Sequence, residues 1–363
     1  MELTTAAIGC ALAFCASLVG CSALRAFSLR RNLLDHPNER SLHTVPVPRL
    51  GGVAIACATW LALLTLHALQ GNMPGKLEFA WLITSIPVAA LGLVDDLRPL
   101  RAGTRLLLQF ACAGLFCALA GIPPGISLVA HSVIALPPAL SLAFWSFFIV
   151  AVLNIFNFMD GMDGLAGTQS LGAALGIGGA FALSHQPALA MLCGLIAAAS
   201  AGFLFHNFPP AKIFMGDAGS TFLGFSFAAL AVVGADLKPT VPAFVFALAL
   251  SPFLLDGTLT LLRRTLRREA IWKAHRTHLY QRAVLAGRTQ HAVLGDYAIW
   301  VIAGAAAAVW GTRKEAGGSL LLVIASLVAL LIVWTRVKYL ETKAVDVSIS
   351  SGPSLLENSS TTK

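Results

Sequence analysis

Eleven apolar runs follow one another along this chain, separated by short polar breaks. Their cores fall at 3–24, 52–69, 79–94, 106–120, 140–155, 164–183, 188–205, 221–234, 241–262, 295–310 and 319–334. A helix rises 1.5 Å per residue, so roughly 20 apolar residues cross the ~30 Å hydrocarbon layer. The pattern predicts an all-α integral membrane protein with about eleven transmembrane helices. The first run lacks a basic leader and a small-residue cleavage site, and reads as a retained helix. The sixth and eighth are rich in glycine.

The polar breaks orient the helices. With the N-terminus outside and the C-terminus cytoplasmic, only Lys76, Lys238, Arg313 and Lys314 fall on the outer side. The other 21 of the 25 Lys and Arg lie inside, as the positive-inside rule requires. The Asp-rich breaks then share the cytoplasmic face. Composition agrees: 57% of residues are hydrophobic and 12% charged, which no soluble domain of this length could bury. A single polytopic domain therefore covers 1–340, and the Ser/Thr-rich stretch 341–363 reads as a disordered cytoplasmic tail. The net charge of +8 resides in topology-setting loops, so it argues for a bilayer and against a nucleic-acid partner. The seven Cys lie within apolar runs without a CxxC pair and read as packing residues.

Four polar clusters on that face carry candidate chemistry. Asp95 and Asp96 end the third run, where a carboxylate opposes the helix dipole. They either reach interfacial water or face a polar cavity. Asn154, Asn157, Asp160 and Asp163 recur every three residues and share a face while the segment stays helical. Their oxygens suit a hard divalent cation such as Mg²⁺, or a nucleobase edge or ribose; a plain polar turn explains only one or two of them. Asp217 opens the eighth run, where it either caps the helix or joins free backbone amides around a phosphate and its metal. His275, Arg276, His278 and Arg282 form a compact donor cluster for phosphate oxygens. Arg263, Arg264, Arg267 and Arg268 read as a topology anchor near anionic lipid head groups. In the first inside loop, Arg40, His43 and Arg49 are contacts for an anionic lipid head, or parts of a proline-stiffened loop. Gly51 and Gly52 let its backbone approach something closely.

The stretches PVPRLGG, LVDD, NIFNFMDGMDGLAG, FMGDAGS and HRTHLYQR, in that order, resemble the polyprenyl-phosphate N-acetylhexosamine-1-phosphate transferases. These are glycosyltransferase family 4, with branches that start O-antigen, enterobacterial common antigen, teichoic acid and lipid I. The resemblance implies transfer of an N-acetylhexosamine-1-phosphate from a UDP-sugar to undecaprenyl phosphate, with Mg²⁺ (or Mn²⁺), giving UMP. It implies a bacterial inner membrane and a cytoplasmic site. Asp95 and Asp96 stand where the family has essential carboxylates, and Asn157 and Asp217 where it holds metal. Asn154, Asp160 and Asp163 look like nucleotide contacts, and His275, Arg276, His278 and Arg282 like diphosphate and sugar contacts. The lipid I branch has consecutive histidines in the last loop; His-Arg-Thr-His here points to the O-antigen or common-antigen branch. The expected donor is then UDP-N-acetylglucosamine or a 6-deoxy-N-acetylhexosamine. The oligomeric state, a homodimer included, is left open.

Two other classes compete. An ion-coupled transporter or lipid flippase would also carry intramembrane acids, but at mid-bilayer and framed by repeated broken helices. A CDP-alcohol phosphotransferase would follow its Asp series with Arg, which the segment 157–163 lacks.

Overall fold

Lipid offers no hydrogen bonds, so an apolar segment must satisfy its backbone internally, and each expected run is helical. The computed structural model of the protein describes residues 3–37, 42, 44–129, 132–237, 241–270, 276–313 and 316–350. The helices are α1 (Leu3–Arg31), α2 (Gly51–Gln70), α3 (Lys76–Leu97), α4 (Ala102–Ala120), α5 (Pro138–Met159), α6 (Leu165–Leu183) and α7 (Pro187–Asn207). They continue as α8 (Gly216–Asp236), α9 (Ala243–Ala249), α10 (Ser251–Leu266), α11 (Leu279–Leu285), α12 (Gln290–Thr312) and α13 (Ala316–Ser350). Eight of them, α1 to α5 with α7, α8 and α12, are long and apolar enough to cross a membrane. The glycine-rich α6 and the long α13 form at predicted runs but stand outside that set. The helix α13 continues through Ser350, past the 341 boundary suggested by composition.

Two local outcomes differ from a plain run of spans. The ninth run, expected as one span, is the pair α9 and α10, bent by 87°. Pro252 has no amide to donate to α9 and suits the first turn of a new helix instead. The Pro-rich connection after α4 forms an antiparallel ribbon of β3 (Gly125–Val129) and β4 (Ser132–Ala135). A shorter pair, β1 (Leu34–Asp35) and β2 (Val47–Pro48), joins the two ends of the connection between α1 and α2.

The helix α8 is the axis of the bundle. Every residue from Ala218 to Ala235 is buried, against α2, α3, α4, α5, α6 and α9. Small residues make this close fit feasible, since association in lipid depends on packing. A Cβ on Gly52 would overlap the backbone of Gly219, and one on Gly224 would come 2.8 Å from Leu153 Cα. Aromatic rings fill the next layer: Trp60 and Trp81 meet Phe222 edge-on, and Phe116 meets Phe225.

Candidate active site

The end of α3 meets the start of α8. Asp96 accepts the backbone N–H of Asp217 and of Ala218, each at 3.0 Å. It therefore caps α8 from another helix and sits on the positive end of its dipole. Asp217, which the sequence offered as a cap, does not cap: the start of α8 has no side-chain cap of its own. Gly216 makes the junction feasible, with φ at +74° and a would-be Cβ only 2.7 Å from Asp96 Oδ2. Asp95 points elsewhere. Its carboxylate accepts the Leu100 N–H at 2.6 Å and the Arg105 guanidinium at 2.5 Å.

The end of α5 closes the same cleft. Asn157 Nδ2 donates to Asp217 Oδ1 and to Ser220 Oγ, both at 2.9 Å. One turn earlier, Asn154 Nδ2 donates to Gln109 Oε1 at 2.8 Å. The Asp95 and Asp217 carboxyls come within hydrogen-bonding reach of each other, and Arg105 lies 3.7 Å from Asp217 Oδ2. Asp160 is the half-buried residue that ends α5. Partial burial, then the charges of Asp217, Asp96 and Asp163, push its carboxyl up to about 8. Asp95 and Asp217 thus share the Arg105 guanidinium, Asp160 and Asp96 lie within range of the Asp217 charge, and Arg49 stands near Asp96. That imbalance favours a cation.

Among the described residues no trio of His, Cys, Asp or Glu is close enough to hold a metal by itself. The donor set nonetheless suits Mg²⁺, which binds through one or two carboxylates and completes its shell with water and substrate phosphate. Asp95 and Asp217 would supply the carboxylates. Asn157 spends its N–H groups on Asp217 and Ser220, which leaves its carbonyl oxygen available.

A buried scaffold fixes the loops behind this cleft. Asn207 accepts the Gly164 N–H and donates to the Ile213 carbonyl, each at 2.9 Å, so it ties the DGMDG turn to the segment before α8. Asp163 accepts the Ala211 N–H at 2.9 Å and so faces this scaffold. The backbone of PVPRLGG is spliced to FMGDAGS through Phe214 N–H to Pro48 O, Gly51 N–H to Phe214 O and Gly52 N–H to Met215 O, at 2.8 to 2.9 Å. What the two glycines approach is this other motif. Arg49, partly buried, belongs to the splice, whereas Arg40 and His43 lie outside the described residues.

The last motif comes only partly to the acids. His275 lies outside the described residues, and Arg276 stands half-buried at the start of the segment. His278 is buried, 3.6 Å from Asp256 Oδ1 and stacked on Tyr280. Tyr280 does reach the site, because a Cβ on Gly161 would overlap its hydroxyl. Arg282 is engaged elsewhere, in a two-pronged pair with Glu341 of α13 at 2.7 Å on both prongs.

Comparison with known proteins gives these positions a context. The family model described as glycosyl transferase family 4 matches residues 79–235, the stretch that carries Asp95 to Asp217. The chain is 31% identical to a decaprenyl-phosphate N-acetylglucosaminephosphotransferase of Mycobacterium tuberculosis over 311 residues, 77% of this chain and 75% of that one. The chain belongs to the polyprenyl-phosphate N-acetylhexosamine-1-phosphate transferase family. A further member, described as a probable undecaprenyl-phosphate N-acetylglucosaminyl 1-phosphate transferase of Bacillus subtilis, is 29% identical over 271 residues, 73% of each chain. A phospho-N-acetylmuramoyl-pentapeptide-transferase of Picosynechococcus is 37% identical over a shorter 227 residues, 59% of this chain and 60% of that one.

In this member of the family, several site residues escaped the sequence reading. Arg105 and Gln109 lie one turn apart near the start of α4; Arg105 had counted only as a topology charge. Asp256 is wholly buried on α10 and accepts from Tyr297 Oη at 2.6 Å, Leu279 N–H at 2.9 Å, Thr260 Oγ1 at 3.1 Å and Tyr280 N–H at 3.4 Å. An Asp in the middle of an apolar run was the available signal.

Proposed function

We propose that this protein transfers N-acetylglucosamine-1-phosphate, or a 6-deoxy-N-acetylhexosamine-1-phosphate, from its UDP-sugar to undecaprenyl phosphate. The products are undecaprenyl-diphosphate-sugar and UMP, and the step initiates an O-antigen-like surface polymer. The site faces the cytoplasm of a bacterial inner membrane, as the distribution of Lys and Arg favours. The observation that carries this reading is the meeting of Asp95, Asp217 and the free carbonyl side of Asn157 beside Arg105. The names of the relatives support N-acetylglucosamine as the sugar.

The nucleophile is the lipid phosphate. Its second pKa is about 6, so at neutral pH it is mostly a dianion and hardly needs a base. The difficulty is bringing that dianion to a diphosphate. Asp95, Asp217 and Asn157 would hold a Mg²⁺, which would supply neutralisation of the phosphate charge. Arg105 adds a donor fork at the same point, and Asp96 holds the α8 amides in register. An oxygen of the lipid phosphate forms the new P–O bond to the sugar-linked phosphorus. The bond from that phosphorus to the bridging oxygen breaks, and its electron pair leaves with UMP. Asn154, Asp160 and Asp163 line the nucleotide side of this proposal, although Asp163 acts there through the loop it holds. Of the last motif, His275 and Arg276 are the proposed diphosphate contacts, and Tyr280 replaces Arg282 as the residue that borders the turn.

Mass spectrometry of the lipid formed from a panel of UDP-N-acetyl sugars tests the reaction and the sugar together. Asp217→Ala should abolish Mg²⁺-dependent UMP release while the protein still folds. Near-normal release at ordinary Mg²⁺ would remove Asp217 from the site.

A further inference from the structure

A cavity of about 520 Å³ lies between α10, α11 and α13. It shares no lining residue with the cleft of Asp95 and Asp217. Its walls have a direction. Leu259 and Arg263 on α10 and Arg267 at its C-terminal cap recur every four residues and so lie along one face. On α13, Leu327, Leu331, Trp334 and Lys338, spaced by four, three and four, likewise share a face. Both stripes change from apolar to cationic toward their C-terminal ends, which come together around Glu341. Glu341 is taken up by Arg282 and, at 3.8 Å, Lys338. Among the described residues Arg263 and Arg267 make no ion pair or side-chain hydrogen bond.

We propose that this groove binds one anionic membrane phospholipid, with its phosphate at Arg263 and Arg267 and an acyl chain along Leu259, Leu327, Leu331 and Trp334. The volume is far more than an ion needs and is of the size that takes a whole ligand. Leu327 and Leu331 are exposed, so the apolar end opens where hydrocarbon would be. Basic pockets between membrane helices recognise anionic head groups by the same electrostatics. The polyprenyl substrate is not the occupant, because its phosphate must reach Asp95 and Asp217, which the groove does not touch.

The test uses the purified full chain in neutral detergent, with phosphatidylglycerol or phosphatidylcholine carrying brominated acyl chains. The brominated phosphatidylglycerol should quench tryptophan fluorescence saturably, and Trp334→Phe should remove that saturable part. The double variant R263Q/R267Q should weaken binding ~30-fold, since each such contact is worth about a factor of five. On the wild type alone, raising ionic strength should weaken binding severalfold. Equal quenching by phosphatidylcholine, salt-independent binding, an unaltered affinity in the double variant, or competitive displacement by polyprenyl phosphate would each overturn the proposal. The choice of occupant rests on the proposed transfer reaction, but none of these readouts uses turnover, so the two can fail separately.

Discussion

Removing the Asp256 carboxylate should be among the most damaging single changes in the molecule. The side chain is wholly buried on α10 and accepts four hydrogen bonds, two of them from the backbone amides that begin α11. In Asp256→Ala, Thr260 can turn back to its own helix. The amides of Leu279 and Tyr280 and the hydroxyl of Tyr297 cannot find substitutes. A buried donor left unsatisfied costs about 1–3 kcal/mol, so three cost about 3–9 kcal/mol. Neutral hydrogen bonds inside membrane proteins average nearer ~0.6 kcal/mol, but here the acceptor is charged and the burial complete, which favours the larger figure. Asp256→Asn keeps one oxygen for Leu279 and lets the Tyr297 hydroxyl re-aim, so about 2 kcal/mol is expected. Tyr297→Phe loses one bond, about 1–2 kcal/mol. The assay is the folded fraction of purified protein titrated with SDS in mixed micelles. A fall ordered Ala, then Asn, then the Tyr297 variant fits the network. An Asp256→Ala protein within about 1 kcal/mol of wild type would refute the reasoning.

Three further outcomes follow from the geometry. Gly92→Ala drives a methyl into the Asp217 carbonyl and should lower kcat ~10–100-fold by shifting the start of α8, whereas Gly295→Ala, with nothing near its Cβ, should leave kcat unchanged. The crowded Asp160 carboxyl keeps its proton up to about pH 8, so a cation arriving beside it must displace that proton. The apparent Mg²⁺ affinity should therefore rise with pH and level off above about 8, and Asp160→Asn should flatten the curve; an unchanged slope in that variant would exclude Asp160 as its source. Asp95→Asn should lower turnover yet keep the acid limb of the pH–rate profile, because that limb belongs to the lipid phosphate; its specific loss would assign Asp95 a base role.

Most of the helices were legible because hydropathy in a membrane protein needs no long-range information. What was not legible was pairing. Adjacent acids such as Asp95 and Asp96 cannot satisfy each other, and the sequence says so. It does not say that a second helix, 121 residues later, offers Asp96 its amides. Asn154 and Asn157 read correctly as one face, since helical spacing is local. The pairing of Arg282 with Glu341, 59 residues away in a stretch whose composition suggested disorder, could not be read from spacing. The break between α9 and α10 lies within an unbroken apolar run, where Pro252 is the residue that marks it.

Asp96 carries a consequence for anyone seeking an inactive variant for substrate-bound studies. Its two oxygens hold the amides that begin α8 against the end of α3, beside Asp217. A dead enzyme made by removing it would not separate lost chemistry from a lost platform. The Asp217 side chain takes no part in that backbone contact and accepts from Asn157, so its removal leaves both amides on Asp96.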